Sequence, residues 1–138
     1  MGIKQISVFL ENTTGRLCEV TRTLAQAGIS LRAISIADTA DFGILRLIVD
    51  KTEEAVSALA ANGFTTRQTE VAAVEIEDKP GSLDALLQMY EKTGINIEYL
   101  YASLKSVSGK AVVIFKPEDP KKGFAILEKS GLKTTDSF

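Results

Sequence analysis

A chain of 138 residues with 45% hydrophobic and 25% charged side chains holds enough apolar material for a core, as one domain or two small ones. Its net charge of −2 gives no electrostatic drive toward nucleic acid or an anionic membrane, and no apolar run approaches the ~20 residues that span a bilayer. Histidine is absent and Cys18 is the only cysteine, which removes the commonest general base, the commonest metal ligand and any internal disulfide; no catalytic residue, metal site or cofactor is expected.

Met1–Gln5 lacks the apolar core of a secretory signal, and Ile6 stands where a myristoylation motif needs Ser or Thr, so the expected address is the cytoplasm. Residues 3–10 alternate as a half-buried strand, with Ile6, Val8 and Leu10 on one face. Gly15 then opens a helix to about Ala27, whose expected stripe is Leu17, Val20, Leu24 and Ala27, and Gly28 ends it. A strand over Ile29–Ala37, a turn over Asp38–Gly43 and a strand over Ile44–Val49 make a hairpin. Thr52 is placed to cap a second helix, with Glu53 and Glu54 in its first turn and Val56, Leu59 and Ala60 as its stripe. Asn62-Gly63 stop it, and Phe64–Gln68 reads as a fourth strand.

The pattern then repeats. A strand over Ala72–Glu77 leads to Pro80-Gly81 and a helix carrying Leu83, Leu86, Leu87 and Tyr90, ended by Gly94. Ile95–Leu104 and Lys110–Phe115 form a hairpin through Ser108-Gly109, and a helix over about 119–130 precedes a short strand after Gly131. A shift of 66 lays Val8 on Val74, Glu11 on Glu77, Gly15 on Gly81, Leu17 on Leu83, Gly28-Ile29 on Gly94-Ile95 and Ile48 on Ile114. Near Pro117–Pro120 the shift becomes 68, so that Gly63-Phe64 meets Gly131-Leu132. Two modules are therefore expected, over residues 1–69 and 70–138. Each is a ferredoxin-like βαββαβ unit of the α+β class, with an antiparallel sheet and both helices on one face. Ile44–Val49 and Ala111–Phe115 are apolar on both faces, as covered central strands are, and open sheet edges invite pairing; a homodimer is expected.

The chemistry concentrates where the first strand of each copy meets its helix: Glu11-Asn12-Thr13-Thr14-Gly15-Arg16-Leu17 and Glu77-Asp78-Lys79-Pro80-Gly81-Ser82-Leu83. Main-chain N–H groups at a helix N-terminus form an anion site, and glycine admits a ligand close to the backbone. The polar residue three positions earlier offers a side-chain oxygen to an ammonium, so each loop has partners for both halves of an amino acid. The alternative is that Asn12 or Thr13 caps the helix and Gly15 only makes the turn. The first turn of copy one, Gly15-Arg16-Leu17-Cys18, carries one base and no acid, whereas copy two has Asp78 and Asp84, so an anion is expected to prefer Asn12–Gly15.

The repeated E-N/D-x-x-G-x-L, the later Gly94-Ile95-Asn96-Ile97 and the strand order resemble the ACT domain, a regulatory amino-acid-binding module, twice over and across essentially the whole chain. The resemblance implies modules paired side by side into an eight-stranded sheet, with ligands in the seam between the loop of one module and the second strand of its neighbour. One site would then join Asn12, Thr13, Thr14, Gly15, Arg16 and Leu17 with Asn96 and Ile97. The other would join Asp78, Lys79, Pro80, Gly81 and Ser82 with Ser30 and Leu31. Thr14 departs from the family's frequent proline and Ser30 from its frequent asparagine.

The function expected is a non-catalytic amino-acid sensor that regulates its own assembly or a separately encoded metabolic enzyme. The alternative is a structural or assembly module without ligand binding. RNA-recognition modules share this strand order, but only Phe9 and Phe115 could stack on bases and the net charge is negative. Tyr99 and Tyr101 either pack across strands or line the seam. Lys105, Lys110, Lys116, Lys121 and Lys122 read as a solvated basic surface, and Cys18 as a helix-flank residue.

Overall fold

The computed structural model describes residues 2–38, 41–104, 108–136 and 138. It divides the chain into two compact units, Lys4–Thr69 and Glu70–Phe138, the second including the chain's first residues up to Ile3.

The unit Lys4–Thr69 contains β1 (Ile3–Glu11), α1 (Arg16–Gln26), β2 (Leu31–Asp38), β3 (Phe42–Val49), α2 (Thr52–Ala61) and the start of β4 (Thr65–Glu77). Its strands lie in the order β2-β3-β1-β4. Both β1 and β2 pair antiparallel with β3, Val8 opposite Leu45 and Ile34 opposite Leu47. Ile6, Val8 and Leu10 bury against Val20 and Leu24 of α1 and Ala55 and Leu59 of α2, so the alternation of β1 and the helical stripes meet in one core. The stripe of α1 begins a turn later than expected. Leu17 is 41% exposed and Ala27 is exposed, while Thr23 is buried and donates its hydroxyl to Glu19 O at 2.8 Å. The end of α1 closes through Ile29 N–H to Leu24 O (3.0 Å) and Gly28 N–H to Ala25 O (3.1 Å), the paired bonds of a glycine-terminated helix.

Thr52 does not cap α2. It is the first helical residue, and Lys51 ahead of it makes no side-chain cap. The nearby carboxylate of Asp50 instead accepts from Ser30 N–H at 2.9 Å, tying the end of β3 to the start of β2. The turn expected over Asp38–Gly43 includes residues 39 and 40, which lie outside the described residues, as does Lys105.

The second unit continues with the rest of β4, α3 (Ser82–Thr93), β5 (Ile97–Ala102), β6 (Lys110–Pro117) and α4 (Pro120–Ser130). Its strands run β4-β6-β5, both pairs antiparallel. Ala72, Val74, Val113 and Phe115 pack on Leu86, Tyr90 and Leu127. All four residues Val112–Phe115 are buried, so β6 is covered on both faces, and Phe115 is no stacking platform for a base. Tyr101 is buried and sits opposite Ile114. The rings of Tyr90 and Phe115 meet edge to face, 5.3 Å apart and 79° inclined. Tyr90 also donates its hydroxyl to Gly123 O at 3.0 Å. Gly123 also lets α4 pass close to the end of β6: a Cβ there would lie 2.5 Å from Pro117 Cβ and Cγ.

Three expectations are corrected. The strands expected over Phe64–Gln68 and Ala72–Glu77 merge into the single thirteen-residue strand β4, which starts at Thr65, one residue after Phe64. The last strand shrinks to an isolated bridge of Thr134 with Val74, held by Glu75 N–H to Lys133 O (2.9 Å) and Thr135 N–H to Ala73 O (3.0 Å). Six named strands therefore stand among the described residues where eight were expected. Finally, the inserted pair of residues precedes β6. Leu100 occupies the place of Ile34, an offset of 66, whereas Phe115 occupies that of Leu47, an offset of 68. The insertion thus belongs to the β5–β6 hairpin and not to Pro117–Pro120, and Ile114 corresponds to Arg46, not Ile48.

Candidate ligand-binding loops

The two strand-to-helix loops share one hydrogen-bond pattern. In the first, Asn12 N–H donates to Asp41 O (2.9 Å), Thr13 N–H to Glu11 O (2.9 Å) and Glu19 N–H to Gly15 O (2.9 Å). In the second, Asp78 N–H donates to Gly109 O (2.9 Å), Lys79 N–H to Glu77 O (3.0 Å) and Ala85 N–H to Gly81 O (3.0 Å). Gly15 and Gly81 are the N-cap residues, with φ of 89° and 91°, a left-handed backbone that a β-carbon disfavours. Neither helix has a side-chain cap. Asn12 and Thr13 therefore do not cap α1, and the N–H groups of Leu17 and Cys18, like those of Leu83 and Asp84, have no protein acceptor among the described residues.

The charges differ from the expectation. The first turn of α1 does include an acid, Glu19, and Arg16 Nη1 donates to its Oε2 at 2.5 Å. The Arg16 guanidinium also lies 4.6 Å from the centroid of the Phe64 ring, and its Nε is shut from solvent without a partner among the described residues. The one base of loop one is thus already engaged. In loop two Lys79 Nζ sits 2.6 Å from Glu77 Oε2. The hydrogen bond from Lys79, and then its charge, hold the Glu77 carboxyl below its ordinary range; Glu77 in turn raises Lys79. Asp84 accepts from Gln88 Nε2 at 2.7 Å.

A cleft of about 630 Å³ opens at loop two, against Lys79, Pro80, Gly81 and Ser82. Its other walls are Glu75–Glu77, Ala85, Lys110 and the segment Gly131–Lys133. Among these, Glu75 and Lys133 escaped sequence reasoning, and Lys110, which the sequence placed only on a solvated basic surface, lines the cleft. Lys110 faces Glu77 across β4 and β6, and Lys133 Nζ lies 3.5 Å from Glu75 Oε2, pairings visible only once the strand register is known. In the other unit, a hollow of about 140 Å³ lies against Glu19, Arg22 and Phe64.

The second-strand residues occupy the opposite end of each module from its own loop. Ser30 and Leu31 lie beside Asp50 and Val49, whereas loop one lies beside Asp41 and Phe42. Asn96 accepts from Glu118 N–H at 2.8 Å through its carbonyl, and Ile97 pairs with Pro117. Within a module, therefore, the two groups of expected site residues do not meet. Among the described residues no group of three or more His, Cys, Asp or Glu side chains is arranged to hold a metal, and no helix is long and apolar enough to cross a membrane.

A family model described as an ACT domain pair matches residues 1–135. Among solved structures, protein BT0572 from Bacteroides thetaiotaomicron is similar at 38% identity and a TM-score of 0.91, over 98% of this chain and 92% of that one. The ligand-free regulatory subunit of aspartate kinase from Thermus thermophilus shares the fold at 19% identity and a TM-score of 0.64, over 95% of this chain and 94% of that one. Aspartokinase III of E. coli, in complex with lysine and aspartate, shares it at 19% identity and a TM-score of 0.50, over 91% of this chain and 30% of that one. No curated protein matches the chain.

Proposed function

Because the chain belongs to the ACT domain pair family, we propose that it is a non-catalytic sensor that binds an amino acid at its strand-to-helix loops and regulates its own assembly or a separately encoded metabolic enzyme. The observation that carries this reading is the pair of helix N-termini behind Gly15 and Gly81, where the N–H groups of Leu17 and Cys18, and of Leu83 and Asp84, have no protein acceptor among the described residues. An α-carboxylate satisfies such groups, and the positive end of the helix dipole favours it. The cleft at loop two is of the size that small-molecule sites have, and it supplies carboxylates for the ammonium and lysines for the carboxylate. The fold shared with the Thermus thermophilus regulatory subunit is consistent with a chain that acts on another protein.

In this reading the zwitterion is held at Asn12–Leu17, at Asp78–Ser82 or at both, and Asn96, Ile97, Ser30 and Leu31 complete the sites from a neighbouring module. The chain is read as a homodimer in the cytoplasm. The test is a thermal-shift screen with each of the twenty L-amino acids. One amino acid, or a small chemically related set, raises the melting temperature by mass action. No shift with any of them leaves an assembly module without a ligand.

A further inference from the structure

Resting on that reading, we propose that only the second copy takes the amino acid, one per chain, and that Arg16 is a built-in plug filling the equivalent place in the first copy. The internal repeat makes the comparison residue by residue. Ser82, Ala85 and Leu132, which line the cleft, correspond to Arg16, Glu19 and Phe64. In the second copy these are a small hydroxyl, a methyl and an aliphatic chain, and about 630 Å³ stays open. In the first copy the Arg16 guanidinium lies 4.6 Å from the centroid of the Phe64 ring and its Nη1 is bonded to Glu19. The arginine therefore occupies the space with a cation–π contact and an ion pair that a ligand would have to displace.

Charge points the same way. The three lysines around the open cleft, Lys79, Lys110 and Lys133, correspond to Thr13, Phe42 and Thr65. The register fixes one of these equivalences independently: Lys110 faces Glu77 as Phe42 faces Glu11. The second copy thus keeps both signs of charge at its helix N-terminus, carboxylates of Glu75 and Glu77 for an ammonium and an ammonium of Lys110 for a carboxylate. The first copy retains the glycine turn but carries Arg16 in place of Ser82 and none of these three lysines.

The experiment is calorimetric titration of the full chain with the twenty L-amino acids, each tested singly, on the wild type and two variants. The wild type titrates to one equivalent per chain. S82R/A85E, which copies the plug into the second copy, weakens that binding at least tenfold. R16S/E19A/F42K, which empties the first copy and supplies its missing lysine, titrates to two equivalents. Far-ultraviolet circular dichroism checks that both variants fold; their altered side chains are all exposed or half-buried. Two equivalents in the wild type, wild-type affinity in S82R/A85E, or a folded R16S/E19A/F42K that stays at one equivalent each overturn the plug while leaving the sensor reading intact. If no amino acid binds the wild type, the sensor reading falls and the plug falls with it.

Discussion

Lys79 and Glu77 show how one side-chain pair shapes a loop without contributing much to the fold. Both are exposed, so their attraction is screened. The pairing still has a titration signature. The folded Glu77 carboxyl titrates below its unfolded value, so its contribution is present above that unfolded value and disappears as pH falls through the folded one. Lys79, raised by the same contact, contributes below its unfolded value and loses that contribution as pH rises through the folded one. In K79M the Glu77 pKa should climb back toward the ordinary carboxylate range, with Lys110 alone still drawing it down; carbon-detected NMR titration of the Glu77 carboxyl measures this, and an unchanged midpoint contradicts the pairing. Tyr90 is the opposite case, a side chain that matters through burial. Its hydroxyl is pushed to a raised pKa by desolvation and is tied to Gly123 O. Y90F removes that bond and should cost about 1 kcal/mol in urea unfolding, with the ring packing against Phe115 retained.

At the scale of elements, α4 is the helix whose start depends on a side chain. Asp119 Oδ1 accepts from Lys122 N–H at 3.1 Å, and Pro120 stands at the first turn where its missing donor costs nothing. D119A should lower stability by about 1 kcal/mol with an unchanged denaturant slope. By contrast α1 and α3 begin at glycines, which supply no side-chain cap. All four helices, and the glycines that end three of them, were legible in the sequence because a 3.6-residue stripe and a glycine stop are local features. Leu17 and Leu83 were not, since exposure in a first turn depends on where the helix overhangs its sheet. The merging of two expected strands into β4 and the reduction of the last strand to the Thr134 bridge depend on partners distant in sequence. The loops were legible as motifs, yet their inequality was not. Glu19 was absent from the first-turn charge count, and Phe64 was seen only as the start of a strand. That the two converge on Arg16 is a fact of packing.

For the whole molecule, the number of ligands held per chain is also a thermodynamic quantity. A ligand that binds only the folded state stabilises it by RT ln(1 + [L]/Kd) for each site, about 2.7 kcal/mol at a hundredfold excess over Kd. Well above Kd, each further tenfold rise in concentration adds about 1.4 kcal/mol if one site is filled and about twice that if two are, whatever the individual affinities. For a chain of 138 residues, about 2.7 kcal/mol corresponds to a rise of roughly 5–10 °C in melting temperature. The slope of the melting curve's midpoint against the logarithm of amino-acid concentration therefore counts sites without any assumption about which loop is stronger. Two uncapped loops of identical hydrogen-bond pattern would lead to the doubled slope if backbone geometry alone decided binding. The single slope is expected here, because Arg16, bonded to Glu19 and set over Phe64, occupies in the first loop the place that Ser82 leaves open in the second.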